Sequence, residues 1–324
     1  MDTKNDRPYA SLSLDADNLW SYLKIQGDKR WQSYPSYFEY FIPLVLKILN
    51  NLKLKITFFI VGLDAAQKKN HNIIKMICDD GHEVGNHSFH HESWLQQYSK
   101  QELADEILKA DAAIKNAAGQ RPVGFRGPGF SWSANLMEVL ANNDYKYDAS
   151  ILPTYLGPVA RTYYFKKSNL DKMEKDRRKE LFGKFTHGFL PTHPFYWRLK
   201  SGPALLEIPV TTIPVLKTPF HLSYLLYLGR VSKILMLAYL QLAIIVCKLK
   251  SENPSFLLHP LDFLGGDDVK ELSFFPGMDL SGEHKLKMFD LIMGKLVRQF
   301  DFLPMGTFVD LIKTNKKLPV KKIR

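Results

Sequence analysis

Short apolar runs alternate with segments of helical periodicity along most of this chain. Residues 54–61 form a continuous run of β-branched and other apolar residues, a pattern typical of a strand buried on both faces. Residues 37–51 and 65–78 instead have helical character. Further strands are predicted at residues 11–14, 83–85, 123–125, 145–148, 205–208 and 255–258. Repeated strand–helix units predict an α/β fold with a parallel sheet, either open or closed as a barrel.

One helix has a clear start signal and a regular apolar face. Ser99 and Glu102 have the spacing of a capping box, in which each side chain bonds the other residue's backbone N–H. Apolar residues then recur at helical spacing at Leu103, Ile107, Ala110 and Ile114. This pattern predicts an amphipathic helix that packs against the sheet.

Polar residues follow the apolar runs at the points where the predicted strands end. They are Asp15, His87, Arg126, Asp148 and His259. In a (β/α) barrel the carboxyl ends of the strands form the catalytic rim, so these five segments would deliver side chains to one mouth.

Two histidines predict a metal site. His87 and His91 are four residues apart, so on a turn of helix both imidazoles would project from one face and suit a single divalent cation. A third ligand is needed, and the best candidate is the acidic end of the first strand, where Asp15 and Asp17 are separated by one residue.

Residues 152–203 interrupt the alternation and are rich in basic and aromatic residues. We expect an insertion that covers the mouth, since loops of that length are usually functional. Its aromatic residues argue mildly for sugar stacking. The chain, residues 1–324, is otherwise read as a single domain with a basic tail at residues 313–324.

Composition and charge narrow the class of protein. The 45% hydrophobic and 24% charged content is that of a folded globular protein. Cys78 and Cys247 are far apart in apolar contexts, so we expect buried free thiols and a reducing compartment. The N-terminus lacks an apolar secretory segment, which leads us to expect a cytoplasmic protein.

Much of the net charge of +11 lies in residues 166–184 and in the basic tail. Two interpretations stay open, a solvated helix with a frayed terminus or attraction to anionic lipid headgroups or a phosphorylated substrate. We expect no nucleic-acid partner, because no binding module is recognisable.

The stretch 222–248 is unusually apolar. Arg230 and Lys233 interrupt it and leave a segment of 14 residues at 234–247, short of the roughly 20 that span a bilayer. We predict a buried core helix first. An interfacial helix at the inner face of an anionic membrane is the second interpretation.

Five short motifs, in order across roughly residues 10–262, resemble those of the polysaccharide deacetylase (NodB-homology) family of metal-dependent carbohydrate esterases. They are Asp15-Ala16-Asp17, an Asp-x-Asp variant of the family's acidic pair; His87-Ser88-Phe89-His90-His91; Arg126-Gly127-Pro128-Gly129; Tyr147-Asp148-Ala149-Ser150; and Leu257-Leu258-His259-Pro260. The resemblance implies a distorted (β/α) barrel of about seven parallel strands with a long lid-like insertion.

The resemblance also implies roles. Asp17, His87 and His91 would bind one divalent metal, with Zn²⁺ as the first choice. Asp15 would be the general base, held by Arg126, and His259 the general acid, oriented by Asp148. The oxyanion would meet the metal and a backbone N–H near Gly129, in the loop that begins with Pro128.

Several alternatives stay open. Arg126 could instead clamp the backbone of its Gly-Pro loop, His90 could replace His91 as a ligand, and Asp15 and Asp17 could exchange roles. Gly129 also stands where many chitin- and peptidoglycan-directed members have tyrosine, which leaves the substrate less defined than the chemistry.

The leading hypothesis is a metal-dependent hydrolase that removes an N-acetyl or N-formyl group from an amino sugar, on a lipid-linked or cell-envelope glycan precursor. A non-sugar amidase acting on linear or cyclic C–N bonds is the alternative within the family. A catalytically silent carbohydrate-binding protein is the alternative from another class, although such a protein has no need of Asp15 and His259. The sequence does not define the oligomeric state.

Overall fold

The computed structural model describes residues 7–168, 170–315 and 318–323 and confirms an α/β fold with a mostly parallel sheet. The strands in chain order are β1 (Tyr9–Ala16), β2 (Thr57–Ile60), β3 (Glu83–Asn86), β4 (Gly124–Phe125), β5 (Tyr147–Asp148), β6 (Phe195–Arg198), β7 (Leu205–Glu207), β8 (Ser255–Leu258), β9 (Asp301–Leu303) and β10 (Val320–Lys322). The helices are α1 (Leu19–Gln26), α2 (Phe38–Asn51), α3 (Gly62–Ala66), α4 (His71–Asp79), α5 (Lys100–Ala118), α6 (Ala134–Asn142), α7 (Gly157–Lys167), α8 (Lys172–Arg177), α9 (Leu222–Val231), α10 (Lys233–Leu249), α11 (Gly282–Leu296) and α12 (Met305–Asn315).

The sheet runs in the order β8–β1–β2–β3–β4–β5–β7, and these neighbours are all parallel. At one edge β6 is antiparallel to β7 and carries β10, while β9 pairs with the start of β1. The described strands do not close into a continuous barrel. The gap between β7 and β8 is bridged by Thr211, whose N–H donates to the Ser255 carbonyl at 3.1 Å.

Strand register places the carboxyl ends of the parallel strands side by side. Ala16 pairs with Ile60, Ile60 with Asn86, Asn86 with Phe125, and Phe125 with Asp148. The residues that follow these positions therefore emerge along one edge of the sheet. This row is the reason that segments distant in sequence reach the same cavity.

The central strands form where the sequence is apolar on both faces. All of β2 is buried, and β1 is buried at every position after Tyr9, as a strand covered by helices on both sides requires. Helix α5 begins with the predicted capping box between Ser99 and Glu102, and it ends at Gly119 with φ of 74°, a left-handed conformation that glycine adopts without strain.

The segment predicted as an insertion has two parts. Residues on α7, together with Leu181 and Phe182, line the cavity described below. The later part adds to the sheet instead, because β6 lies within it. Of the basic tail, residues 316, 317 and 324 lie outside the described residues. Val320–Lys322 pair with β6 and Ile323 is buried, so fraying is the wrong description of this part.

Residues 222–248 form two helices, α9 and α10, rather than one. In the part of the chain that the structure describes, no helix has the length and apolar character needed to cross a membrane. Cys247 on α10 is buried and Cys78 is half-buried, and both are free thiols.

Candidate active site and metal centre

The carboxyl edge of the sheet opens into a cavity of about 560 Å³. It is lined by the two aspartates at the carboxyl end of β1, by two histidines after β3 and by the histidine after β8, namely Asp15, Asp17, His87, His91 and His259. Residues from α1, α7, α9 and the segment 274–280 complete its walls, and most of these are apolar.

Three buried groups form a cluster that can hold a metal ion. The ligand atoms of Asp17, His87 and His91 lie within 4.8 Å of one another. Asp17 Oδ1 is 2.8 Å from His91 Nε2 and 3.4 Å from His87 Nε2. This buried oxygen has no hydrogen-bond partner among the described residues. A carboxylate and two imidazoles are a preferred donor set for Zn²⁺, so the residues present fit a divalent metal.

Further interactions hold the side chains of this cluster in place. His87 Nδ1 donates to the Arg126 carbonyl at 2.7 Å, which leaves Nε2 facing Asp17. Burial alone would raise the pKa of Asp17, but the nearby imidazoles of His91 and His87 lower it far below its usual value. A bound cation takes the place of protons in such a cluster.

The histidine pair does not lie on a helix, so that part of the prediction is wrong. After β3 the chain forms an irregular loop in which Ser88 and His91 have φ of 60° and 56°. The loop is fixed by Glu106 on α5, whose Oε1 accepts from the backbone N–H groups of Phe89 and His90. Such unfavourable backbone angles persist where surrounding contacts enforce them, often at functional sites.

Glu106 also decides between the two adjacent histidines. Its Oε2 lies 2.7 Å from His90 Nδ1, and the His90 side chain is 47% exposed and points away from the cluster. His91 is buried beside Asp17 instead.

Asp15 is held by a buried guanidinium. Arg126 Nη1 donates to Asp15 Oδ1 at 2.8 Å and to Ser13 Oγ at 2.8 Å, while its Nε donates to the Ala149 carbonyl at 3.0 Å. Arg126 is therefore a carboxylate partner, and the backbone that it holds is that of Ala149 rather than that of its own Gly-Pro loop. The two aspartates, whose roles the sequence left interchangeable, therefore have different surroundings. Asp15 is paired with Arg126, whereas Asp17 lies between the two histidines.

His259 faces Asp15 across the cavity, with Nε2 at 3.9 Å from Asp15 Oδ2. On its other side Nδ1 lies 3.8 Å from Asp262 Oδ2, and the same oxygen accepts from the His259 backbone N–H at 2.7 Å. Burial lowers the pKa of His259, but the hydrogen bond and charge of Asp262 and the charge of Asp15 outweigh it and raise the pKa to about 9. The imidazole is thus held ready to donate a proton.

The predicted role of Asp148 needs correction. Its carboxylate accepts from Ser150 N and Oγ, and it shares a hydrogen bond with buried Glu207 at the end of β7. Ser150 Oγ in turn accepts from Gly127 N, so Asp148 supports the loop after Arg126. Asp262, three residues after His259, takes the orienting position, because the short turn after β8 folds it back onto the histidine.

The loop after Arg126 also reaches the cavity. Gly129 lines it with φ of 61°, and an added Cβ would lie 2.6 Å from Leu181 Cδ1 and 3.1 Å from Ser93 Cβ. Pro128 is buried and has no N–H to donate, so any backbone donor to an oxyanion here must come from a later residue.

Two further residues were not found from the sequence. His221, whose ring centroid is 5.8 Å from that of His259, is buried and lines the cavity, and burial lowers its pKa to about 3. Asp64 on α3 accepts from Asn18 Nδ2 and Trp20 Nε1, which fixes the chain directly after Asp17. The only sequence signal for Asp64 is an acid in an otherwise apolar context.

Comparison with known proteins gives a consistent picture. The family model described as polysaccharide deacetylase matches residues 32–147, which include His87, His91 and Arg126. A peptidoglycan deacetylase of Helicobacter pylori is 35% identical over 111 residues, 34% of this chain and 37% of that protein. A chitooligosaccharide deacetylase of Sinorhizobium fredii is 31% identical over 103 residues, 32% of this chain and 46% of that protein. The matched part thus spans less than half the length of these relatives.

Two solved structures share the fold over nearly the whole chain. A candidate polysaccharide deacetylase from Mycobacterium smegmatis has a TM-score of 0.58 at 16% identity, with 98% of both chains covered. The Puue allantoinase has a TM-score of 0.54 at 14% identity, covering 95% of this chain and 91% of the other. Residues 32–147 therefore match the polysaccharide deacetylase family, and the chain as a whole shares the fold of these two structures.

Proposed function

We propose that this protein is a metal-dependent hydrolase that removes an N-acetyl or N-formyl group from an amino sugar. One observation carries the proposal: a buried carboxylate–imidazole cluster, Asp17, His87 and His91, shares a cavity with a carboxylate and an imidazole 3.9 Å apart. The sugar-deacetylating relatives from Helicobacter pylori and Sinorhizobium fredii support the reaction class.

The chain's own residues supply the proton transfers. Asp15 accepts the proton of the attacking water, and Arg126 keeps its carboxylate oriented through the 2.8 Å contact. His259 donates a proton to the amine nitrogen as the C–N bond breaks, so the products are a carboxylic acid and a free amine. Asp17, His87 and His91 would hold a divalent metal, which would supply polarisation of the acyl carbonyl and a lowered pKa for the water.

The substrate class that we propose is an amino sugar attached to a lipid, such as a cell-envelope glycan precursor. The support is the character of the walls, which include Phe182 and Val159 of the insertion, Leu226 on α9 and Phe275. A soluble polysaccharide offers hydroxyl groups along its whole length and gains little from such a surface, whereas an alkyl chain gains about 0.8 kcal/mol per buried CH₂.

The test is release of acetate or formate from a panel of N-acylated amino sugars, each offered free and as an alkyl glycoside. We expect Asp15→Asn and His259→Ala to retain the metal, measured by elemental analysis, while turnover falls by about 10²–10⁴-fold. Exposed residues of the same types supply matched controls, Asp105→Asn and His284→Ala, which should leave turnover unchanged.

Normal turnover by Asp15→Asn would contradict the assignment of the base. Hydrolysis of cyclic amides in preference to every sugar would favour the non-sugar amidase, and a metal-loaded protein that releases no acyl group from any substrate would favour a binding protein.

A further inference from the structure

Helix α10 is apolar on two faces, and only one of them is covered by the protein. Met236, Leu240, Ala243, Ile244 and Cys247 are buried against the core. The other face presents large apolar side chains to solvent, together with the end of α9. These residues, called here the α10 stripe, are Val231 (75% exposed), Ile234 (81%), Leu235 (48%), Leu242 (44%), Ile245 (46%) and Leu249 (78%).

The stripe is a continuous surface rather than a scatter of single residues. Positions 235, 242, 245 and 249 recur at spacings of seven, three and four residues, which places them on one face of the helix. Isolated exposed leucines are ordinary, but contiguous apolar surface of this extent marks an interaction site.

The charge around the stripe indicates what covers it. No acidic residue occurs between Glu207 and Glu252, a segment that contains all of α9 and α10. Lys233, Lys248 and Lys250 lie at the two ends of α10, and all three are exposed. A helix with an apolar face flanked by lysines is complementary to anionic headgroups above an acyl layer.

The same charge pattern disfavours a second copy as the occupant. A symmetric dimer formed through the stripe would bring the lysines of both copies together with no acidic residue of α9 or α10 to pair with them.

The stripe also adjoins the cavity. Tyr227 and Arg230 on α9 line the cavity, and Val231 follows them directly. Across from α9, Val159 and Tyr163 on α7 also line it and are 66% and 43% exposed. Apolar side chains therefore extend from the stripe to the cavity.

We propose that the α10 stripe docks onto an anionic phospholipid bilayer and holds the cavity entrance at the membrane surface. Docking itself is independent of the proposed function. Presentation of a lipid-linked sugar to the cavity rests on that function.

The experiment measures binding of the full chain to vesicles of equal parts phosphatidylglycerol and phosphatidylcholine by sedimentation. We expect binding at low salt. It should weaken at least about tenfold in 0.5 M KCl, because salt screens the attraction between the lysines and the anionic lipid. It should weaken by a similar factor with phosphatidylcholine alone, because that lipid carries no net charge. The triple variant Ile234→Gln/Leu242→Gln/Ile245→Gln should weaken binding at least about tenfold through lost apolar burial.

Two matched controls distinguish binding through the stripe from nonspecific hydrophobic adsorption and from the effect of net charge. Met76→Gln/Leu108→Gln/Leu291→Gln removes apolar side chains with 41%, 43% and 39% exposure from other helices and should bind like the wild type. Lys233→Gln/Lys250→Gln should weaken binding more than Lys47→Gln/Lys115→Gln, which removes exposed lysines of α2 and α5.

Failure of the wild type to sediment with the vesicles would overturn the proposal, and so would equal loss in the stripe variant and its control. If the wild type forms a dimer without lipid and does not bind vesicles, and the stripe variant is monomeric, the face would be assigned to contact with a second copy. Release of acetate from a soluble amino sugar should be unchanged in the stripe variant. Vesicle binding without any such release would refute the proposed function alone.

Discussion

Replacing Asp262 by asparagine isolates the electrostatic role of the residue behind His259. The asparagine oxygen can still accept from the His259 backbone N–H, the bond that measures 2.7 Å, so the turn should keep its shape. What disappears is a negative charge 3.8 Å from Nδ1. Unit charges at about 4 Å interact by about 4 kcal/mol at an effective dielectric constant of 20, which is an upper bound of about three pKa units.

We expect roughly half of that bound, a fall of about one to two units in the pKa of His259, because solvent and Asp15 compensate. The protonated imidazole is the proposed acid, so activity is lost as pH rises through its pKa. The alkaline limb of the kcat/KM profile for acyl release should therefore move to lower pH by that amount. An unshifted alkaline limb in Asp262→Asn, with loss only in overall rate, would refute an electrostatic role for Asp262.

Two further predictions concern stability. Arg126→Met leaves the 4%-exposed Asp15 without its counter-ion and should lower the free energy of unfolding by about 3–5 kcal/mol in urea titrations. Arg30→Met, which breaks a solvent-exposed pair with Asp28, should have a much smaller effect, and similar losses in the two variants would contradict the account. Burial raises the pKa of Asp64 to about 7, although the hydrogen bonds from Asn18 and Trp20 act to lower it. Between about pH 4 and 7 the native state therefore keeps a proton on Asp64 that the unfolded state has released. Wild-type stability should fall with rising pH in that window by up to about 1.4 kcal/mol per unit, and Asp64→Asn should flatten the slope; parallel profiles would assign the pH dependence elsewhere.

The parallel sheet could be predicted because its central strands are unusually distinct in sequence. The continuous apolar run at 54–61 contains β2, and the polar residues that follow β1, β3, β4 and β8 mark one edge of the sheet. Parallel topology alone brings those ends together. For this reason Asp17, His87 and His259 could be assigned to one cavity without coordinates.

The residues that support the site could not be predicted in the same way. Asp262 and Asp148 are both acids near strand ends, and the choice between them depends on a tight turn after β8. Glu106 lies on the buried side of α5, and only the tertiary structure reveals that its partner is a loop backbone. The left-handed angles of Ser88 and His91 likewise depend on those contacts rather than on local propensity.

The most direct measurement of the central claim is a calorimetric titration of the chelator-treated protein with Zn²⁺. We predict one site per chain, tight binding that is lost in Asp17→Ala and His91→Ala, and near wild-type affinity in Asp15→Asn and His90→Ala. Zinc binding that survives Asp17→Ala, or that is lost equally in His90→Ala, would contradict the assignment of the cation to Asp17, His87 and His91.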